Sequence, residues 1–155
     1  DVLRTMAATG AYKDVAADEA NFIDQQRTEL ILTEEHVIKD GLTPADGVKR
    51  IGLLVRKPAM DVESFQRYWR GVHGKLASKI PSIRRYVQSH TKLSGYRREP
   101  QPNWDGIAAT WFDSVDERRA GHATEAYTNT RADEENFLDA AESKFLMTKE
   151  HTIIS

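Results

Sequence analysis

The chain has 155 residues, of which 39% are hydrophobic and 30% charged, enough for one domain or for one domain with part of another. Its 22 Lys and Arg residues against 24 Asp and Glu residues give a net charge of −2, which argues against nucleic acid as the main partner. The absence of cysteine excludes disulfides and thiolate catalysis, and no apolar run has membrane-spanning length, so we expect a cytoplasmic protein.

A repeated segment comes first in the chain. "ADEANFID" at 17–24 returns as "ADEENFLD" at 132–139, and a shift of 115 positions aligns residues 1–38 with the chain's last part through 16 identical residues and no gap. We therefore predict that 1–38 is the C-terminal helix and strand of a first copy, that about 67 further residues of that copy precede Asp1, and that this remnant docks on a sheet edge.

A linker and a complete second copy follow. The Gly, Pro and Asp residues of 39–47 predict the linker, and the second copy then occupies 48–155. An apolar run predicts a buried strand at 49–57. Helical spacing predicts a helix over 60–80, with Asp61 as its N-cap and a break near His73-Gly74.

The rest of the second copy alternates between strands and helices. Residues 83–93 alternate as a strand does, 95–106 form a loop, 107–113 a strand, 114–140 a helical region and 144–154 a strand. The order βαββαβ predicts an α+β fold, the ferredoxin-like plait, with a four-stranded antiparallel sheet and both helices on one face.

The third predicted strand, "IAATWFD", is apolar on both faces, so both faces of the sheet should be covered. A second plait packed face to face would cover the face opposite the helices. The sequence therefore predicts a two-plait α+β barrel, formed by a homodimer or by an intrachain pseudo-dimer of the two copies.

The helix and strand after the linker carry a resemblance. "FQRYWRGVHGKLASKIPSIRRYVQSH" is similar to the signature of the EthD family of dimeric α+β barrel proteins. The matching residues are Tyr68, Trp69, Val72, His73, Gly74, Pro81, Tyr86 and His90. Lys75 departs from the pattern, in which Pro usually follows His-Gly. The resemblance implies a cofactor-independent protein of the type that acts on lactones and polyketide-derived aromatics, although many members have no known reaction.

Two histidines are the candidate catalytic residues. An imidazole at His73, beside two glycines that let a ligand approach, could move a proton on an activated C–H; the alternative is that His73 caps the helix C-terminus. His90 shares a strand face with Tyr86 and Gln88, which predicts a pocket lining, and the alternative is an exposed strand end.

Aromatic side chains are candidates for substrate binding. An aromatic wall for a flat ligand could come from Phe65, Tyr68, Trp69 and Trp111. The alternative for each of them is a place in the core. The recurrence of His36 and His151 in the two tails suggests a structural role at the barrel seam, and His122 is expected to be solvated.

The sequence supports two functions from different classes. The first is a small cofactor-independent enzyme that performs proton-transfer chemistry on a hydrophobic oxygenated molecule, with His73 as acid and base and with His90 and Tyr86 orienting the substrate. The second is a non-catalytic small-molecule-binding or assembly module. Histidine spacing predicts no metal site, and no glycine-rich phosphate loop predicts a nucleotide. An oxygenase that uses no metal is a further alternative for the enzyme.

Overall fold

The structure is a computed structural model that describes residue 5, residues 7–151 and residue 153. The chain divides into two units, one ending at Leu30 and the other beginning at Ile31. None of the described helices is both long enough and apolar enough to cross a membrane.

The first unit contains helix α1 (Gly10–Glu19), whose last three residues begin the repeated phrase. Thr9 caps this helix because its hydroxyl accepts a hydrogen bond from the backbone N–H of Tyr12, at 3.2 Å. At the other end, the Asn21 amide donates to the Asp18 carboxylate at 3.1 Å. Phe22, which follows, is 72% exposed.

The second unit is built on one sheet. Among the described residues this sheet is antiparallel and five-stranded, in the order β1-β3-β4-β2-β5. Its strands are β1 (Thr33–Lys39), β2 (Val48–Leu54), β3 (Arg85–Thr91), β4 (Gly106–Phe112) and β5 (Lys144–Thr148). The predicted α+β plait is confirmed, because β2 to β5 have its order and direction.

The strand count differs from the prediction of four because β1 joins the sheet. It runs antiparallel along the outer edge of β3, from Thr33 opposite Thr91 to Lys39 opposite Tyr86, and so pairs backbone groups that β3 would otherwise expose. The last strand ends at Thr148, earlier than predicted. Residues 152, 154 and 155 lie outside the described residues.

The first long helix is continuous where a break is predicted. It consists of α2 (Val62–Tyr68), a π-helical turn (Trp69–His73) and α3 (Gly74–Ala77). The predicted N-cap is confirmed, since the Asp61 carboxylate accepts from the Ser64 N–H at 2.7 Å. Gly71, in the π turn, and Gly74, directly after it, both keep right-handed helical backbone. The helix therefore widens into a π turn instead of breaking.

The second helical region is two helices, α4 (Val115–Gly121) and α5 (Glu125–Glu134). Thr124 separates them, because its hydroxyl accepts from the Tyr127 N–H at 3.2 Å and donates to the Gly121 carbonyl at 2.7 Å. It therefore ends one helix and caps the next. Helix α5 repeats the cap of α1, since Thr124 and Tyr127 correspond to Thr9 and Tyr12.

The main core lies between the helices and one face of the sheet. Its buried side chains are Leu54, Phe65, Trp69, Ala77, Ile80, Ile83, Tyr86, Ala108, Phe112, Phe137 and Leu138. Strand residues of this core alternate with Val87, Ala109 and Trp111, which form a second cluster on the opposite face. We call that opposite side the open face of the sheet.

Polar side chains flank Trp111 on the open face. The Lys49 ammonium lies 4.5 Å from the Trp111 ring centroid, and the Trp111 indole donates to a Glu150 carboxylate oxygen at 2.9 Å. The other Glu150 oxygen accepts from Lys49 at 2.8 Å. Two apolar side chains on this face remain open to solvent: Val37 is 50% exposed and Leu146 is 44% exposed.

Candidate functional site

A cavity of about 90 Å³ lies between the helices and the sheet. It takes its walls from β2, β3, β4, the π turn and helices α4 and α5. Three residues predicted for the site line it together: Trp69, His73 and Tyr86. The plait thus brings residues of one helix and one strand to the same cavity.

His73 is held by a carboxylate that lies 60 positions later in the chain. Its Nδ1 is 2.9 Å from Oδ2 of Asp133, and both side chains are buried. The π turn places His73 on the buried side of its helix, and α5 presents Asp133 in its last turn. Helical backbone continues past His73, so the alternative role of helix C-terminal cap does not hold.

Asp133 is kept as an anion by its other contacts. Its Oδ1 accepts from the Tyr68 hydroxyl at 2.6 Å and from the Asn136 amide at 3.2 Å. Burial works to raise the pKa of Asp133, but the hydrogen bonds from Tyr68, His73 and Asn136 outweigh burial and lower that pKa. An ionised carboxylate accepts only, so Nδ1 of His73 carries the proton.

His73 is therefore a neutral imidazole with its basic nitrogen free. Burial lowers the pKa of His73, and the bond to Asp133 opposes that effect without overcoming it. With the proton on Nδ1, Nε2 holds a lone pair, and no described residue hydrogen-bonds to Nε2. The ring also lies 4.8 Å from that of Phe137. This arrangement suits a general base.

Tyr86 presents a hydroxyl hydrogen that has no acceptor among the described residues. Its oxygen accepts from the Trp69 indole at 3.0 Å and from the Gln88 amide nitrogen at 2.9 Å. The Gln88 orientation is fixed because the same nitrogen donates to the Trp69 carbonyl at 3.0 Å. Both lone pairs of the phenol are thus used, and burial raises the pKa of Tyr86 to about 12. Tyr86 is a buried donor.

His90 does not line the cavity. It lies against Gln88 and Trp69. It donates from Nε2 to the Gln88 amide oxygen at 3.0 Å and stacks on Trp69, with ring centroids 4.6 Å apart. The ring of His36, from β1, meets it edge-on at 4.5 Å. The alternative of an exposed strand end does not hold, because His90 is 4% exposed. The structure supports it as a positioning residue.

The other predicted binding residues are divided among three places. Phe65 is fully buried in the core, 5.5 Å from the Trp69 ring. Tyr68 holds Asp133, and Gln88 holds Tyr86 and His90. Trp111 is on the open face, so the structure does not bring it to this cavity.

Sequence reasoning missed several charged residues that line the cavity. These are Arg50, Arg118, Arg131 and Glu134. His122, expected to be solvated, also lines it and stacks on Tyr127 with ring centroids 4.3 Å apart. Asp133 belongs to the repeated phrase, which was recognised in the sequence, but its partner His73 is distant in sequence. No group of three or more metal-ligating side chains occurs among the described residues.

Comparisons with known proteins agree with the fold. No curated protein matches the sequence. An EthD family protein from Bacillus halodurans shares the fold with a TM-score of 0.55 and 18% identity, over 68% of this chain and 99% of that one. A dimeric ferredoxin-like protein from Bacteroides fragilis gives a TM-score of 0.50 and 15% identity, over 67% of this chain and 96% of that one.

A third similar structure is SnoaB, a cofactor-independent oxygenase from Streptomyces nogalater. It gives a TM-score of 0.50 and 12% identity, over 72% of this chain and the whole of that one. At these identities the structures establish a shared fold. The family model of the EthD domain matches residues 57–141, more than half of the chain and all of the segment that carries His73, Tyr86 and Asp133. The chain belongs to the EthD family.

Proposed function

We propose that this protein is a cofactor-independent enzyme that moves a proton on a small, hydrophobic, oxygenated molecule such as a lactone or a polyketide-like aromatic ketone. The observation that carries the proposal is the His73–Asp133 pair, in which His73 lines the cavity and Asp133 holds the ring from behind. A carboxylate that fixes the tautomer of a buried imidazole leaves a base of the correct protonation state at neutral pH.

The proposed chemistry follows from the two polar groups at the cavity. Nε2 of His73 takes the proton of a C–H bond next to a carbonyl, and the electron pair of that bond moves onto the carbonyl oxygen as an enolate. The Tyr86 hydroxyl donates a hydrogen bond to this oxygen, while Asp133 stabilises the imidazolium. Return of the proton from Nε2 to another carbon completes an isomerisation. In an elimination, the enolate instead expels a leaving group from the neighbouring carbon, and that group takes the proton from Nε2.

The remaining cavity wall supports this chemistry by keeping water away. Trp69 is fully buried, and its indole is held by Tyr86, so a flat substrate would meet a fixed aromatic surface. In a dry site the charge on an enolate is stabilised more by one aligned donor than it would be in water. In this proposal His90 and Gln88 keep Trp69 and Tyr86 in place.

The test is deuterium incorporation from D2O into enolisable lactones and hydroxylated aromatic ketones, followed by NMR. We expect His73→Ala to slow exchange by about 10²-fold or more, Asp133→Asn to slow it by at least about tenfold, and Tyr86→Phe to lower kcat more than it raises KM. His151→Ala, which alters an exposed histidine, is the matched control. Burial lowers the pKa of His73, so exchange should hold near neutrality and fall only in acid.

The outcomes separate the two candidate functions. Exchange that survives His73→Ala would overturn the assignment of the base. Saturable binding without exchange, unchanged in that variant, would favour the non-catalytic binding module. Because a similar fold belongs to a cofactor-independent oxygenase, oxygen uptake is recorded in the same reaction. Uptake that depends on His73 would make the enolate the species that reacts with oxygen.

We propose in addition that a second plait covers the open face. The apolar side chains there and the dimeric state of one structural relative support this pairing. The matching caps of α1 and α5 support residues 1–38 as the tail of a first copy, 39–47 as a linker and 48–155 as the complete copy. The pairing would then be a homodimer or an intrachain pseudo-dimer.

A further inference from the structure

Arg50 is a guanidinium at the cavity that lacks a counter-ion. It lies half-buried on β2 with its guanidinium carbon 4.0 Å from the centroid of the Phe145 ring. None of the described residues forms a hydrogen bond or an ion pair with its side chain. Burial lowers the pKa of Arg50, and nearby Glu134 offsets this only in part.

The groups around Arg50 leave this end of the cavity positive. Arg118 and Arg131 also line it, and Glu134 is the acidic residue in the lining. Glu134 forms an ion pair with Arg131, three residues earlier on α5. Arg50 and Arg118 thus have no carboxylate partner among the described residues, and two positive charges face a largely apolar space.

Two neutral groups at the same cavity are unpartnered as well. Nε2 of His122 and Oγ of Ser82 are buried and have no hydrogen-bond partner among the described residues. The pKa of His122 is lowered by burial and then by Arg118, Arg131 and Arg50, so these guanidinium groups lie close to the imidazole. Polar groups that are buried without partners cost stability, and a fold that leaves several of them at one cavity indicates a ligand.

We propose that the Arg50 end of the cavity binds a carboxylate of the substrate. A carboxylate supplies two acceptor oxygens that match the forked donors of a guanidinium and neutralises its charge. The apolar wall formed by Trp69 accommodates the rest of the molecule. The substrate class is then a carboxylic acid with an apolar ring or lactone. Its enolisable carbon faces His73, a statement that rests on the proposed function, whereas carboxylate binding does not.

The test uses calorimetric titration with benzoate, which has no enolisable hydrogen, and with its uncharged analogue benzamide. We expect benzoate to bind the wild-type protein at least about tenfold more tightly than benzamide. Arg50→Gln should weaken benzoate binding by about 10–100-fold and leave benzamide binding within about twofold, because only the charged ligand uses the guanidinium. Arg119→Gln removes an equal charge from an exposed site on α4 and should change neither affinity.

Three results would overturn the proposal: equal binding of benzoate and benzamide, a benzoate affinity that Arg50→Gln leaves unchanged, or inorganic phosphate binding more tightly than benzoate. If Arg50→Gln does not fold, the comparison of the two ligands on the wild-type protein and on Arg118→Gln decides. Because benzoate undergoes no exchange, its binding is measured independently of catalysis. Exchange that survives His73→Ala, together with benzoate binding that depends on Arg50, would overturn the proposed function and leave the carboxylate site standing. Exchange that is lost in His73→Ala, together with benzoate binding that does not depend on Arg50, would do the reverse.

Discussion

At position 90, a histidine is held where its charged form is disfavoured. Burial, followed by the nearby His36 and Arg70, lowers the pKa of His90 to about 4, and the ring fills the space between Trp69 and β1. The pKa of His73 and that of His122 are lowered as well, by burial first. Three imidazoles in the helix-and-sheet layer are therefore neutral in the folded protein at pH 7, because burial disfavours the charged form of each.

This burial predicts a loss of stability in acid. An unfolded histidine binds its proton near pH 6.5, whereas folded His90 does so only near pH 4, so between these values the unfolded chain holds more protons. The free energy of unfolding should thus fall as pH drops from 6.5 to 4, with His90 contributing on the order of 2 kcal/mol. Urea unfolding at pH 7 and pH 5 measures this. His90→Asn should flatten the dependence, and an unchanged slope would contradict it.

At the scale of elements, the π turn forms the part of the first long helix that faces the cavity. Trp69 begins this turn and His73 ends it, and residues four positions apart share one face of a helix. Both side chains line the cavity in the structure. The two glycines in and beside the turn differ, because a Cβ at Gly71 would meet open space, while one at Gly74 would lie 3.1 Å from Ile38 and 3.2 Å from Gln88.

These surroundings predict opposite tolerance at two glycines of one helix. Gly71→Ala should raise the free energy of unfolding by about 0.5–1 kcal/mol, because it restricts the unfolded chain and touches nothing in the folded one. Gly74→Ala has the same backbone benefit but crowds β1 and β3, so it should be less stable than Gly71→Ala. Thermal unfolding of both variants checks this order, and the reverse order would mean that the close approach to Gln88 is not rigid.

At the scale of the whole molecule, the open face predicts self-association. Leu146 is 44% exposed on this face, opposite Ile51 of β2, so one plait alone leaves apolar surface in water. We expect the 155-residue protein to sediment as a dimer at micromolar concentration. Leu146→Asp should shift it to the monomer, whereas Leu42→Asp, at a residue 91% exposed outside the sheet, should not. A monodisperse wild-type monomer would contradict a homodimer through this face.

Secondary structure and helix caps depend on local pattern and were predicted from the sequence. Contacts between residues far apart in the chain were not. Alternation and helical spacing indicated the order of strands and helices, and Asp61 marked a helix start because a cap acts on the residues beside it. His73 was recognised, but its partner Asp133 was not, since nothing local links positions 60 apart. His122 was expected to be solvated and Arg50 was not singled out, because the cavity that both residues line exists only once β2 and α4 have packed.

The sheet order also has a consequence for the time course of folding. Only β3 and β4 are neighbours both in the sheet and among the strands of the chain, whereas β2 and β5 pair across as many as 99 residues. Pairings of long separation bear a larger loop-closure entropy, so they form late. The His73 helix and β3 precede Asp133 and β5 in the chain, so during synthesis they can associate first. The hydrogen bond between His73 and Asp133 therefore forms after that helix and β3 have met.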